Sequence, residues 1–98
     1  MKFEVQLGRN NIITAMRKCG YVPSGQDEKT GKLRFYRPIR NGRYPRFHIY
    51  CSLTDGTATL NLHLDQKQPS YTGTPAHGGE YDSLLVETET ERIKDLLS

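Results

Sequence analysis

Residues 46–65 read RFHIYCSLTDGTATLNLHLD, two runs of alternating apolar and polar residues joined by Asp55-Gly56. Asp-Gly between such runs is a strong two-residue hairpin signal, because a tight turn that keeps the strands' twist needs positive φ at both central positions. With this turn Thr54 faces Thr57, and pairing continues as Cys51 with Leu60, Tyr50 with Asn61, Ile49 with Leu62, His48 with His63 and Arg46 with Asp65. The parity is self-consistent. Phe47, Ile49, Cys51 and Leu53 share one face with Ala58, Leu60, Leu62 and Leu64, and that face is the core; Arg46, His48, Tyr50, Asn61, His63 and Asp65 share the other.

Outward from this hairpin, residues 33–40 form a further strand that reaches residues 44–53 across Asn41-Gly42. A strict two-residue turn there would set Phe35 opposite His48 and put an apolar ring on the polar face. A three-residue loop with a glycine bulge instead places Phe35 near Ile49 and Tyr36 near His48, and is the reading adopted. Pro38 and Pro45 weaken the ladder, so this strand is expected at an edge or bent. Upstream, Phe3, Val5 and Leu7 alternate with polar residues as a short strand, and Asn10 or Asn11 caps a helix carrying Ile12, Ile13, Met16 and Cys19 that stops at Gly20. Residues 21–31, with Pro23, Gly25 and Gly31, read as a loop. Downstream, residues 66–82 read as a long loop bearing Tyr71, His77, Glu80 and Tyr81, and Asp82 or Ser83 caps a helix through Leu97 whose acidic face is read as solvated surface. The expectation is a single small α+β domain over residues 1–98, with two helices on an antiparallel three- to four-stranded sheet in the order β-α-β-β-β-α.

The charge is divided along the chain. Residues 1–54 carry 11 Lys and Arg against 3 Asp and Glu, a net +8, and residues 55–98 carry 3 against 8, a net −5. Such a split favours an oriented encounter with a polyanion over uniform stickiness. The 98 residues, 35% hydrophobic, suit one small core rather than disorder. The opening residues alternate charged and apolar types, so neither a signal peptide nor a membrane span is expected, and a cytoplasmic setting is. Cys19 and Cys51 are expected to be reduced and buried rather than cross-linked or zinc-bound.

Within the basic half, Lys29, Lys32, Arg34, Arg37, Arg40, Arg43 and Arg46 recur about every third residue, interleaved with Phe35, Tyr36 and Tyr44. Guanidinium groups pair with phosphate oxygens in a planar fork, and rings stack on bases. Nucleic acid, RNA ahead of DNA, is therefore the expected partner, met by Lys32, Arg34, Tyr36, Arg37, Arg40, Arg43, Tyr44, Arg46 and Tyr50. If there is catalysis it centres on His48 and His63, predicted cross-strand neighbours, in a metal-independent cleavage of RNA. No tight ligand spacing supports a metal site of His48 and His63 with Asp65, His77 or Glu80, so no cofactor is expected. A further alternative is a protein-interaction module whose basic hairpin docks an acidic partner or, in a homo-oligomer, the chain's own negative half.

The order helix, three antiparallel strands, helix resembles the double-stranded-RNA-binding-domain fold. Ile12 to Gly20 followed by Tyr21-Val22, then His48-Ile49-Tyr50, the Asp55-Gly56 turn and an apolar strand, is similar to the HicA type of toxin ribonuclease. The resemblance implies RNA as substrate and His48 at the catalytic position, with Arg46-Phe47 standing where that family has Gly-Ser/Thr before its histidine.

Overall fold

The computed structural model describes residues 1–66 and 78–98, and the side chains among these except for residues 78–82. The hairpin at Asp55-Gly56 organises the sheet: β4 (Arg46–Thr54) and β5 (Thr57–Asp65) pair in the register read from the turn, from Thr54 opposite Thr57 to Arg46 opposite Asp65. Asp55 and Gly56 both take positive φ, 50° and 80°, as the tight turn requires. β3 (Leu33–Pro38) adds to β4 with Phe35 opposite Ile49 and Tyr36 opposite His48, the register of the bulged loop, and the Ile39 N–H continues the ladder to the Pro45 carbonyl at 3.1 Å. β1 (Lys2–Gln6) pairs with the far side of β5.

Two segments depart from the sequence reading. Val22–Gln26, expected as loop, forms β2 at the sheet edge against β3, so the sheet has five strands in the order β1-β5-β4-β3-β2 rather than three or four. Pro23 is tolerated because an edge strand has one side free of ladder bonds, and the register shift between Pro23 and Gly25 is a bulge that Gly25 accommodates at φ 113°. The second helix, α2, runs Gly78–Leu97, so Asp82 and Ser83 lie inside it rather than at its cap. The remainder of the expected long loop, with Tyr71 and His77, lies outside the described residues.

The first helix, α1 (Ile12–Lys18), begins where Asn11 Oδ1 accepts from the N–H groups of Ile13 and Thr14 at 2.8 and 3.2 Å. It ends in a Schellman turn, with Gly20 N–H donating to the Arg17 carbonyl and Tyr21 N–H to the Met16 carbonyl, each at 2.9 Å. That turn drives Tyr21 into the core beside Met16, a buried position that the loop reading of residues 21–31 does not anticipate.

Ile12, Ala15 and Met16 of α1, its C-cap Cys19 and Ile93 of α2 join Phe3, Val5, Phe35, Phe47, Ile49, Cys51, Ala58, Leu60 and Leu62 in one core. Leu53, expected there, is 49% exposed near the end of β4, past Cys51, where the pairing with β3 starts and so leaves Leu53 without a neighbour on that side. Both cysteines are buried free thiols; burial raises the pKa of each, Cys51 to about 11. Glu89, expected on a solvated helix face, is buried instead. Its carboxylate accepts from the Tyr21 hydroxyl at 2.7 Å and from Arg92 Nε at 2.8 Å, with Arg37 Nη1 at 3.5 Å, while Arg92 also donates to the Cys19 carbonyl. Among the described residues no helix is long and apolar enough to cross a membrane.

Candidate functional site

With the apolar faces of both helices in the single core, strand alternation turns the other set of β3, β4 and β5 side chains away from them. The registers line these up in rows: Tyr36, His48 and His63; Arg34, Tyr50 and Asn61; Arg46 and Asp65. The rows make a polar and aromatic patch at the centre of the sheet, flanked by an edge on each side. It is a surface rather than an enclosed site, with open clefts at its margins: one of about 460 Å³ is lined by Arg34 with Asp27, Glu28 and Lys29, and one of about 310 Å³ by His63 with Met1, Ser83 and Glu87.

Arg46 is the most constrained member. Its guanidinium carbon sits 4.8 Å from the Tyr36 ring centre and 4.9 Å from that of Tyr44, a cation between two π faces. Asp65 Oδ2 lies 3.6 Å from Arg46 Nε and 3.4 Å from His48 Nδ1, so one carboxylate oxygen faces both the permanent arginine charge and the imidazole. At 3.6 Å the arginine contact is electrostatic and too long for a hydrogen bond. The buried Nε–H groups of Arg46 and Arg34 accordingly find no acceptor among the described residues. Such donors are costly unless something meets them, and both sit on this one face.

The rings of His48 and Tyr50 lie 4.7 Å apart, tilted by 39°, and His63 meets Tyr50 edge-on at 6.2 Å. Burial lowers the pKa of His48. Asp65 pulls the other way, and Arg46, His63 and Arg34 add to the lowering by repulsion.

Of the residues expected to meet nucleic acid, Arg34, Tyr36, Arg46 and Tyr50 are gathered on this face, with Tyr44 reaching it from the hairpin loop through its contact with Arg46. Arg40 and Arg43 are exposed in the same loop, beyond the last pair of β3 and β4, and Lys32 is half-buried just ahead of β3. Arg37 is not brought there. One residue on from Tyr36, it points to the helix side, where it reaches Glu89 and lies 5.9 Å above the Phe47 ring. His48 and His63, expected as cross-strand neighbours, are such a pair. Asp65, read in the sequence as the cross-strand partner of Arg46 on the polar face and weighed as a metal ligand, joins the site as the carboxylate beside Arg46 and His48. Among the described residues no three of His, Cys, Asp and Glu cluster closely enough to hold a metal ion. His77, weighed as a ligand, falls outside the described residues, as does the side chain of Glu80.

Compared with known proteins, the chain matches no family model, no curated protein and no solved structure.

Proposed function

We propose that the face of the sheet turned away from α1 and α2 binds nucleic acid, RNA ahead of DNA. The observation that carries this reading is the convergence of Arg34, Tyr36, Arg46, His48, Tyr50 and His63 on adjacent strands of one face, with two guanidinium groups whose buried Nε–H donors lack an acceptor among the described residues. Phosphate oxygens are the acceptors that guanidinium groups fit, since the charge-assisted bond is shorter and stronger than one to a neutral group. The rings between them favour unpaired bases, which expose their π faces as a duplex does not. RNA offers such bases in loops and single strands, and the resemblance to toxin ribonucleases leans the same way. Arg40 and Arg43 extend positive charge past the end of the ladder, where a strand crossing the face would continue.

The test is the affinity for a short single-stranded RNA against salt. Each phosphate contact on a single strand contributes a slope of about −0.7 in log K against log salt, so three or more contacts give about −2 or steeper. The same sequence as DNA should bind more weakly, and duplex RNA should lose the ring contacts. A flat salt response would remove the reading.

A further inference from the structure

We infer that a second copy of this chain docks along β1, edge to edge and antiparallel, about a two-fold axis at Phe3. The sheet ends in two strands of opposite design. β2 is blocked as a template by Pro23 and by the bulge before Gly25. β1 is regular instead: it pairs with β5 without a register shift, and among the described residues no strand lies on its other side. The direction of its backbone groups follows from the ladder. The Leu62 N–H donates to the Met1 carbonyl and the Leu7 N–H to the Gly56 carbonyl, each at 2.8 Å, so the odd residues of β1 turn their backbone groups to β5. Those of Lys2, Glu4 and Gln6 point outward, where another strand can meet them.

Side-chain chemistry selects the occupant and the register. An antiparallel copy that keeps its apolar face on the helix side must match even residues with even ones, which leaves axes at Phe3, Glu4 or Val5. An axis at Glu4 opposes two carboxylates, and one at Val5 sets Lys2 against Gly8, past the end of β1. At Phe3, Lys2 of each copy faces Glu4 of the other, both exposed. A single exposed charge at an edge repels its own copy, whereas opposite charges two residues apart complement one register and no other. The helix side agrees. The Thr90 hydroxyl, 3.1 Å from the Met1 sulfur, places Met1 on that side, yet Met1 is 46% exposed. The same register sets it opposite Val5, where an open cleft of about 330 Å³ runs between the strand edge and Leu97 of α2. Each Met1 thus finds apolar cover in the other copy. Lys94, which also lines the cleft, lies 5.8 Å from the Phe3 ring centre and 3.9 Å from Glu91 Oε2, so its charge is balanced within α2. The axis runs through the sheet, so two five-stranded sheets join into one, with all helices on one side and both outer faces on the other.

Analytical ultracentrifugation of the full chain over a concentration series reaching the millimolar range tests the pairing. The wild type is expected to pass reversibly from monomer to dimer as concentration rises. Glu4→Lys and Lys2→Glu move the net charge in opposite directions, yet each sets like charges against each other at two places, so both should weaken dimerisation about 10-fold or more. The double exchange, Lys2→Glu with Glu4→Lys, rebuilds both pairs and should return the dimer to within a few-fold of the wild type. Glu4→Pro removes an N–H that points to the second copy and not to β5, so it should leave a monomer whose circular dichroism is that of the wild type. If that variant does not fold, the charge exchange, confined to exposed side chains, decides alone. A wild type that stays monomeric at every concentration would overturn the inference. So would single variants that shift dimerisation in opposite directions, as net charge alone would, or a double exchange no better than either. A dimer retained by folded Glu4→Pro would also overturn it, and would move the contact elsewhere, such as between the basic loop of one copy and the α2 acids of the other.

Discussion

A carboxylate taken under a sheet loses most of its hydration, and Glu89, 4% exposed, is compensated there by Arg92, Arg37 and the Tyr21 hydroxyl. Burial, together with the bond to Glu89, holds the Tyr21 phenol protonated far above its ordinary range. Truncating the acid should therefore cost more than truncating either base. Glu89→Leu is expected to lower unfolding stability by about 3 kcal/mol, the lower end for a broken buried pair, because both arginines can turn toward water. Arg37→Ala should cost about 1 kcal/mol, since it is 31% exposed and its contact is long. Urea unfolding measures both, and an Arg37→Ala loss larger than that of Glu89→Leu would contradict the assigned geometry. On the other face, His48 titrates against the opposite balance. Its folded pKa lies below the unfolded value, so the unfolded chain binds more protons between the two, and the stability linked to His48 is lost as pH falls through that window. Its imidazole titration, followed by NMR, should have a midpoint below about 6.5, and Asp65→Asn should push it lower still.

The β4–β5 hairpin is legible in the sequence because a two-residue Asp55-Gly56 turn leaves no freedom of parity, and each apolar side chain then falls on one face. That legibility extends to the centre of the candidate site, since Arg46, His48, Tyr50, His63 and Asp65 all stand in this register. It fails for β2, whose Pro23 and Gly25 carry loop chemistry in isolation and become an edge strand only because β3 offers a partner. It fails for Arg37 through periodicity: a basic residue every third position cannot stay on one face of a strand, which repeats every second. It fails for Glu89 because α2 is rich in acids, and nothing local marks the one that faces two arginines and a tyrosine. The two structural glycines of these elements should respond differently to a methyl group. A Cβ at Gly56 would come within 3.2 Å of the Gly8 carbonyl oxygen, backbone that is tied down because Leu7 and Gly8 donate to the Gly56 carbonyl at 2.8 and 3.1 Å. At Gly25 the nearest atom, 3.1 Å away, is the end of the Arg34 side chain, which can move. Both sites have positive φ, so Gly25→Ala is expected to cost about 1–2 kcal/mol from backbone strain. Gly56→Ala should exceed it, and equal thermal shifts would argue against the tight approach of residues 7–8 to the turn.

Across the whole molecule, the charge split along the chain becomes a division between layers only in part: Arg34 and Arg46 lie on the outer face of the sheet and the exposed acids Glu87, Glu91 and Asp95 on α2 in the helix layer, while α1 in that same layer carries exposed Arg17 and Lys18. The two kinds of charge should act on a polyanion in separable ways. A residue that touches phosphate releases a counterion, so its removal changes the salt slope; a charge on the far layer acts only through the field, which decays over about 8 Å at physiological ionic strength. Arg34→Ala is accordingly expected to weaken RNA binding and reduce the slope by about 0.7. Tyr50→Ala should weaken it by about 1–3 kcal/mol with the slope unchanged, because stacking displaces no ion. Reversing two α2 acids, Glu91→Lys with Asp95→Lys, should strengthen binding at low salt and lose that advantage near physiological salt. Arg37→Ala, on the helix side, should leave the slope alone. Fluorescence anisotropy of labelled RNA across a salt series reads all four. If Arg34→Ala and Arg37→Ala alter the slope equally, the face on which a guanidinium stands has no bearing on its contact with the strand, and binding would have to be assigned to the protein's overall charge.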